Sequence, residues 1–485
     1  MLKKILSLII FILVVFTAYL LYNTSIFKSK QINYDPANKI DIRDTALHRL
    51  AEAIQIRTIS TEDPVDFDST EFNRFVDYLE NSYPRIERHL KKTIINHYSF
   101  LYEWRGKHDT IKPVILVAHL DVVPAPEEDL NSWTDPPFSG EIKDGKIWGR
   151  GAMDDKVGVI GILEAVEHLL MDGFEPQRTI YLAFGHDEEN GGSQGAKSIA
   201  EFLKTKGVEP EFVLDEGYTI TQGLVPGVLT DLALIGIAEK GFASIKLSIN
   251  LDGGHSAMPN DETAIELITR AISKLENNPF QAEITEPVQQ FLEHVGPEMR
   301  FQEKLVFANN ILFKSMILGI YQQSPRSRAV VQTTMAPTVF NAGIKENVIP
   351  SSASSIINFR ILPGTTIEEV IQNVHKTIDD DRIQLSLKDF HSEPSKVSST
   401  NSAGYTIINQ SVKEVFPYAI TAPNLVIAAT DGRHYGSICE NVYRFIPIRL
   451  TPDNINALHG INECIPIEEF MDVIRFYVQL IKNCG

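Results

Sequence analysis

The sequence predicts an α/β fold in which helices flank a mostly parallel sheet and an α+β domain is inserted into the chain. Two observations support this prediction. Short apolar runs alternate with helical segments over the first half of the chain, a pattern typical of βαβ units around a parallel sheet. From about residue 241 the predicted strands are paired as in an antiparallel sheet, and the alternation of strands and helices returns near the C-terminus.

The elements of the first pattern follow from periodicity and from their boundaries. Helices are predicted where apolar residues recur at three- and four-residue intervals, two of them ending at Gly173 and Gly207. These helices are at 45–56, 69–81, 157–171 and 193–206. Buried strands are predicted where apolar residues run together over a short stretch. These strands are at 113–119, 179–184 and 212–214.

The second pattern predicts a separate α+β module. Its predicted elements are paired strands at 230–239 and 242–251, a helix at 261–275, strands at 338–343 and 354–362, a helix at 367–378 and a strand at 382–390. Helices at 405–415 and 467–481 then return to the first pattern. We therefore expect a catalytic domain in two parts, 42–240 and 395–485, interrupted by an inserted domain at 241–394.

Composition narrows the class of protein. The chain has 485 residues, 43% of them hydrophobic and 22% charged, which indicates an ordinary globular protein of two or three domains. The formal net charge of −18 argues against nucleic acid as a partner, because nucleic acids select basic surfaces.

The N-terminus predicts a membrane anchor. Lys3 and Lys4 precede an uncharged apolar run at 5–22, which is long enough to span the hydrocarbon core as a helix. No small-residue cleavage pattern follows the run. We expect a signal anchor at 1–22, a tether at 23–41 and a catalytic domain outside the cytoplasm, in a periplasm, a lumen or the extracellular space. Cleavage of the leader would instead give a secreted protein.

Acidic and imidazole side chains follow the three predicted buried strands. They are His119, Asp121, Glu188, Glu189 and Asp215. Ligands of open α/β sheets bind at the carboxyl ends of the strands, so we expect these side chains to share one site. Asp154 and His459, which precede helices of the same domain, are expected to join them.

Two imidazoles and three carboxylates of this group suit two divalent ions of the zinc type, if one carboxylate bridges them. The five are His119, Asp154, Glu189, Asp215 and His459. Such a pair of ions activates a water molecule. Asp121 is placed to accept the second ring N–H of His119, and Glu188 remains free to take a proton from the water. Each pair alone is typical of surface charge, so the prediction rests on their joint placement.

The motifs resemble those of the M20 metallopeptidases, the carboxypeptidase G2/aminoacylase-1 family. Within that family the chain is similar to the branch of carboxypeptidase S and the N-acyl-amino-acid hydrolases. The matching segments are HLDVVP at 119–124, WTDPPFSG at 133–140, GKIWGRGAMDD at 145–155, EENGG at 188–192 and DEG at 215–217. The similarity covers about residues 45–480.

The resemblance implies a zinc-peptidase fold that binds two Zn²⁺ per subunit, with Co²⁺ or Mn²⁺ as alternatives. It implies that His119 and Asp215 bind one ion, that Glu189 and His459 bind the other, and that Asp154 bridges them. It also implies that Glu188 is the general base. A cis peptide bond between Asp154 and Asp155 is expected from the same resemblance.

The resemblance identifies the inserted domain as a lid. His255, in GGHS at 253–256, would stabilise the oxyanion, and in many relatives this histidine comes from a second subunit. Residues 284–328 make this lid longer than the compact dimerising type. This segment is expected to cover the dimer surface or to contact a substrate tail, so both a monomer and a homodimer stay open.

Arginines indicate the substrate class, because their planar fork matches a carboxylate. The candidates are Arg360 and Arg433, with Asn341 as a weaker one. We expect hydrolysis of the amide bond next to a C-terminal free amino acid, in small peptides or N-acyl amino acids. The alternatives are a synthase/hydrolase of fatty acyl amides, a non-catalytic membrane ectodomain of the same fold, and an aminopeptidase.

Overall fold

A computed structural model describes residues 1–61 and 64–485. In chain order, the α-helices α1 to α15 of these residues are Leu2–Ile26, Asp44–Ile54, Ser69–Ser82, Pro84–His89, Lys156–Met171, Ala196–Thr205, Ala264–Asn277, Glu286–Val295, Phe301–Ala308, Asn310–Tyr321, Pro325–Val331, Ile367–Ile378, Ala403–Val415, Gly432–Tyr435 and Ile467–Asn483. The predicted helices are all present, with ends shifted by at most three residues.

The strands form one large sheet, one smaller sheet and two short ribbons. In chain order, the strands β1 to β19 of the described residues are Lys91–Ile95, Ser99–Trp104, Val114–His119, Ile142–Lys143, Lys146–Trp148, Ile180–Gly185, Phe212–Asp215, Ile220–Thr221, Leu232–Glu239, Gly241–Asn250, Gly254–His255, Thr334–Ala342, Val348–Ile349, Ser352–Ile361, Gln384–Ser392, Ile420–Val426, Val442–Arg444, Arg449–Leu450 and Cys464–Pro466.

The large sheet confirms the predicted α/β class. Its strand order is β1-β2-β6-β3-β7-β17-β9-β8-β18, and β16 pairs with β9 outside this path. The central strands β6, β3, β7 and β17 run parallel to one another. Every residue of β3 is buried, because helices cover both faces of a parallel sheet. Helix α5 packs on one face, against β3 and the last helix, α15.

A buried lysine joins α2 to α5. Lys156 begins α5 and is fully buried, and its Nζ donates hydrogen bonds to the carbonyl oxygens of Ala53, at 2.8 Å, and Ile56. Ala53 lies in the last turn of α2 and Ile56 two residues beyond its end, where carbonyl groups lack the acceptor pattern of a helix interior. Burial lowers the pKa of Lys156 to about 7, so this contact holds α2 against α5 at the cost of a buried amine.

The smaller sheet is antiparallel, with the order β12-β14-β10-β15, and all its strands lie between Gly241 and Ser392. Helices α7 and α12 pack together and cover its apolar face. Both helices begin with a capping box, in which a threonine and the glutamate three residues later satisfy each other's backbone N–H groups. The inserted segment therefore has the predicted α+β architecture, an antiparallel sheet with two helices packed on one face.

One predicted pairing is wrong. The segments at 230–239 and 242–251 look like a hairpin in the sequence, but β9 lies in the large sheet and β10 in the small one. Every residue of β9 is buried, whereas β10 alternates between buried and half-buried positions. The chain thus crosses between sheets at Lys240, and two strands separated by a single residue do not pair.

The segment expected to lengthen the lid is helical. Helices α8 to α11 follow one another between Glu286 and Val331. Helix α8 packs along β16, which pairs with β9 of the large sheet outside the main strand order. The segment belongs to the packing of the large sheet as well as to the lid.

Candidate functional site

Three parallel strands bring the predicted side chains to one edge of the large sheet. β6, β3 and β7 are neighbours in the sheet, and His119 at the end of β3 is in register with Gly185 at the end of β6. A 3-10 turn at Glu188–Asn190 follows β6, and β7 ends at Asp215. The carboxyl ends of these strands therefore point to a common cleft, as predicted.

Asp154 lies between the two histidines. Its Oδ1 is 3.1 Å from Nε2 of His119, and its Oδ2 is 2.9 Å from Nε2 of His459. Nε2 of His459 is also 3.5 Å from Oε1 of Glu189. One donor atom each from His119, Asp154 and Glu189 lie within 4.8 Å of one another. The expected cis peptide bond between Asp154 and Asp155 is present.

Asp121 ties the first two strand ends together. It is fully buried, and its Oδ1 and Oδ2 accept hydrogen bonds from the backbone N–H groups of Glu188 and Glu189, both at 3.1 Å. Nδ1 of His119 lies 2.9 Å from the backbone carbonyl oxygen of Asp121 and 3.3 Å from its Oδ1. Asp121 therefore sets the position of both the imidazole and the Glu188–Glu189 turn.

Asp215 and its neighbour Glu216 occupy different surroundings. Asp215 is buried, and its Oδ2 accepts a hydrogen bond from the backbone N–H of Gly432 at 2.6 Å. Glu216 lines the cleft together with Asp154 and Glu189. Burial, reinforced by the charge of Asp154, raises the pKa of Glu216 well above its usual value. Glu216 is a further carboxylate at this edge that the sequence reasoning did not single out.

Glu463 is a second residue that the sequence reasoning missed. It is completely buried, and its Oε1 accepts hydrogen bonds from the backbone N–H groups of Gly151, Met153 and Asp154, at 3.0, 2.7 and 3.2 Å. Its Oε2 accepts a hydrogen bond from Arg150 at 2.7 Å. Glu463 therefore holds the loop that carries Asp154. Its only signal in the sequence is a position four residues after His459.

The site concentrates negative charge. Burial raises the pKa of Glu188 well above its usual value; the charges of Asp431 and Glu189 raise it further, while His119 opposes them. The carboxylate of Asp154, hydrogen-bonded to Nε2 of His459, and that of Glu189, 3.5 Å from the same nitrogen, raise the pKa of His459 to about 10.

The donor set fits divalent metal ions. Imidazole nitrogen and carboxylate oxygen are both ligands of zinc, and the donor atoms of three residues lie close enough to share an ion. In addition, Oε1 of Glu189 is buried without a hydrogen-bond partner among the described residues. A buried carboxylate oxygen with no donor is costly unless a cation satisfies it.

The cluster opens into a cleft of about 1100 Å³. Arg360 and Arg433 line the same cleft, so the predicted arginines and the acidic cluster face one space. The guanidinium of Arg360 lies 4.7 Å from the ring centroid of Phe242, and that of Arg433 lies 5.8 Å from the ring centroid of Phe390. The centroids of these two rings are 5.1 Å apart, so each guanidinium group contacts one ring of the same aromatic pair.

Two predicted residues lie elsewhere. His255, on β11, and Asn341, on β12, are both exposed on the inserted domain. Neither is among the described residues that line the cleft. The sequence pattern predicts both on the inserted domain but gives no information on the angle between that domain and the large sheet.

The fold and the cluster define a metal-dependent hydrolase of the zinc-peptidase type. The family model "Peptidase family M20/M25/M40" matches residues 115–483, and the chain belongs to this family. The resemblance in the motifs is therefore confirmed, and the protein is an enzyme, a metallopeptidase or amidohydrolase.

Relatives of the chain cover nearly its whole length. It is 42% identical to "Probable carboxypeptidase S-like 2" of Dictyostelium discoideum, over 96% of this chain and 91% of that protein. It is 38% identical to "N-fatty-acyl-amino acid synthase/hydrolase PM20D1" of Xenopus tropicalis, over 91% of this chain and 86% of that one. The crystal structure of the M20 metallo-carboxypeptidase Sso-CP2 of Sulfolobus solfataricus has the same fold, with a TM-score of 0.67 at 19% identity, covering 91% of this chain and 99% of that one.

The contacts of Glu463 predict a positioning role that sequence motifs do not reveal. Glu463→Gln replaces one oxygen of a carboxylate that fixes the Asp154 loop, and we expect the affinity for a divalent ion to fall by about 10- to 100-fold. Competition with a chromogenic chelator measures this change. Glu468→Gln, at an exposed position, is the matched control. An affinity equal to that of the unchanged protein would contradict the role of Glu463.

Proposed function

We propose that the protein hydrolyses the amide bond between an acyl or peptidyl group and an amino acid with a free carboxylate. The observation that supports this proposal is a single cleft that contains both the His/carboxylate cluster and a pair of arginines. The cluster is suited to attack on an amide, and the arginines are suited to hold the carboxylate beside it. The relatives named as carboxypeptidase-like and as an acyl-amino acid hydrolase agree with this substrate class.

We propose that the cluster holds two zinc ions. The proposed ligands are His119, Asp154, Glu189, Asp215 and His459. Bound zinc would supply positive charge that polarises the amide carbonyl and makes water a better nucleophile at neutral pH. Asp154 stands between both histidines at hydrogen-bonding distance, which suits a bridging carboxylate.

Glu188 is the proposed general base. It lines the cleft, and its backbone N–H is fixed by Asp121. A carboxyl group with a raised pKa accepts a proton from water more readily near neutral pH, and then returns it to the departing amine nitrogen. Asp121 acts through its neighbours, because it is buried and its oxygens are occupied by the turn and by His119.

Arg360 and Arg433 are the proposed carboxylate site. Nη2 of Arg433 is buried without a hydrogen-bond partner among the described residues. Burial and the nearby charge of Arg433 lower the pKa of Arg360, which shows that the two cations repel each other. An anion between them removes that repulsion and satisfies the free N–H groups.

The rest of the cleft favours an apolar acyl group. Its walls include Phe67, Tyr98, Ile446, Ile448 and Leu458. Such walls bind an acyl chain by burying apolar surface. A fatty acyl amide of an amino acid is therefore the second candidate substrate, and the same site can catalyse the reverse condensation, because hydrolysis of an amide is reversible.

His255 is proposed to stabilise the oxyanion, although it is exposed on the lid in this structure. This role requires closure of the lid or a lid from a second copy of the chain. Asn341, on β12 of the same inserted domain, is proposed to contact the substrate in the same event.

Helix α1 is the proposed membrane anchor. It spans 25 residues, its most apolar stretch has a mean hydropathy of 2.7, and none of that stretch is buried against the protein. Fully exposed apolar residues in a long helix are typical of a membrane span, and we propose that the catalytic domain lies outside the cytoplasm.

Glu188→Gln tests the proposed base. The amide cannot accept the proton, so we expect kcat to fall by about 10²- to 10⁴-fold with little change in KM. Product release is measured with an N-acyl amino acid and with a dipeptide. Metal content must stay at the level of the unchanged protein, and Glu201→Gln, on exposed α6 surface, must stay active. A variant that keeps its kcat would overturn the assignment.

The metal ligand at the end of β7 is tested by two neighbouring substitutions. We expect Asp215→Asn to lower the number of zinc ions bound per chain, because an amide is a poor substitute for a carboxylate ligand. We expect Glu216→Gln to bind as much zinc as the unchanged protein. Elemental analysis of the purified variants gives the stoichiometry. The reverse result would assign the ligand to Glu216.

Arg433→Met tests the carboxylate site. Loss of charged hydrogen bonds should raise KM by about 10- to 100-fold for substrates with a free carboxylate. A substrate whose C-terminus is amidated should be cleaved poorly by the unchanged protein and equally poorly by the variant. Arg105→Met, at an exposed ion pair, is the control. Equal sensitivity of both substrates would mean that Arg433 does not bind the carboxylate.

A further inference from the structure

Helix α10 presents apolar residues to the outside. Ile311, Leu312, Met316 and Ile320 are 88%, 51%, 53% and 48% exposed, and we call these four residues the α10 face. Three of them follow one another at intervals of four, so they lie along one side of the helix. Monomeric soluble proteins rarely leave a contiguous apolar surface of this kind without a partner.

The opposite side of α10 fixes its orientation. Ile317 is buried in an apolar cluster with Phe291 and Val295 of α8, and Phe313 and Tyr321 pack against the same cluster. The α10 face therefore cannot turn inward without breaking this packing, and it is a stable part of the fold.

Contacts with the N-terminal helix place α10 next to the proposed membrane anchor. Helix α1 packs against α9, and Asn309, between α9 and α10, donates a hydrogen bond to the carbonyl oxygen of Leu20 at 3.3 Å. The side-chain amide of Asn23 donates to Oδ1 of Asn309 at 2.8 Å. The apolar run of α1 ends at Tyr22. Helix α10 thus begins at the level where α1 would leave the hydrocarbon.

The charges around the α10 face match a lipid surface. The chain as a whole is acidic, with a net charge of −18, but the charged residues of α9 and α10 are Glu303, Lys304 and Lys314. Glu303 pairs with Arg300 at 2.6 Å, which leaves the two lysines as the local excess charge. An interfacial helix typically combines an apolar side with lysines that contact anionic headgroups.

We infer that the α10 face lies in the interface of the bilayer that α1 enters, as a second membrane contact of the same chain. This inference rests on the proposed anchoring by α1. The continuity between the two helices at Asn309 identifies the occupant of the face as lipid. Burial of the four side chains among acyl chains removes their exposed apolar surface from water.

The test uses the full chain in vesicles that contain an anionic phospholipid, with brominated acyl chains as the quencher. Tryptophan is introduced singly by Leu312→Trp and Ile320→Trp, and by Ile344→Trp as the control, because Ile344 is 94% exposed on a turn of the lid. Phe11→Trp reports on α1. We expect quenching at 312 and 320, relative to the unsubstituted chain, to exceed that at 344 at least about twofold, as for a helix buried at the headgroup boundary.

The outcomes separate the two membrane claims. Quenching at 11 without quenching at 312 and 320 would overturn the inference and leave the anchor intact. Absence of quenching at all three would overturn both. A dimer in detergent that Leu312→Glu together with Met316→Glu converts to a monomer would assign the α10 face to a second copy instead of lipid. If the inference holds, the same double substitution abolishes quenching at 320, whereas Ile344→Glu leaves it unchanged.

Discussion

Repulsion among buried carboxylates is the constraint on which the site depends. Glu188, Glu189 and Asp215 follow or end parallel strands, and Asp154 meets them from the loop before α5. Asp431 is buried beside them, and neither of its oxygens accepts a hydrogen bond from the residues that the structure describes. Burial and the charge of Asp215 raise the pKa of Asp431 well above its usual value. A group of neighbouring carboxylates is unfavourable unless cations compensate its negative charge. The site therefore suits metal ions. The same repulsion favours a proton on a neighbouring carboxyl group such as Asp431.

The fold opposes this repulsion with hydrogen bonds from the backbone. Asp121, Glu463 and Asp215 each accept backbone N–H groups of loops that carry other site residues. Glu239 fixes a further loop of the site. It forms a buried ion pair with Arg444 at 3.2 Å, and it accepts hydrogen bonds from the backbone N–H and the hydroxyl group of Thr430. These contacts hold the loop that leads to Arg433 against the end of β9, so the position of the proposed carboxylate site depends on that strand end.

The sequence was sufficient for features that depend on local pattern. His119, Glu189 and Asp215 could be placed together because each follows an apolar run, and strands of one parallel sheet end at one edge. The crossing from β9 in the large sheet to β10 in the small sheet could not be predicted, because two strands separated by a single residue look like a hairpin in the sequence. The burial of both faces of β9 distinguishes the two arrangements. Glu463 was missed for a related reason, since a glutamate that accepts three backbone N–H groups looks like a surface glutamate in sequence.

The helical segment α8–α11 connects the proposed membrane surface to the catalytic edge. Its apolar cluster includes Tyr218, three residues after Asp215, and Leu234 of β9. Tyr218 also donates a hydrogen bond to the carbonyl oxygen of Leu425 at 2.6 Å, which joins the segment to β16. Tightly packed protein interiors deform little, so the elements on either side of such a cluster keep fixed relative positions. A bilayer in contact with the α10 face would therefore fix the position of the cleft relative to the lipid surface.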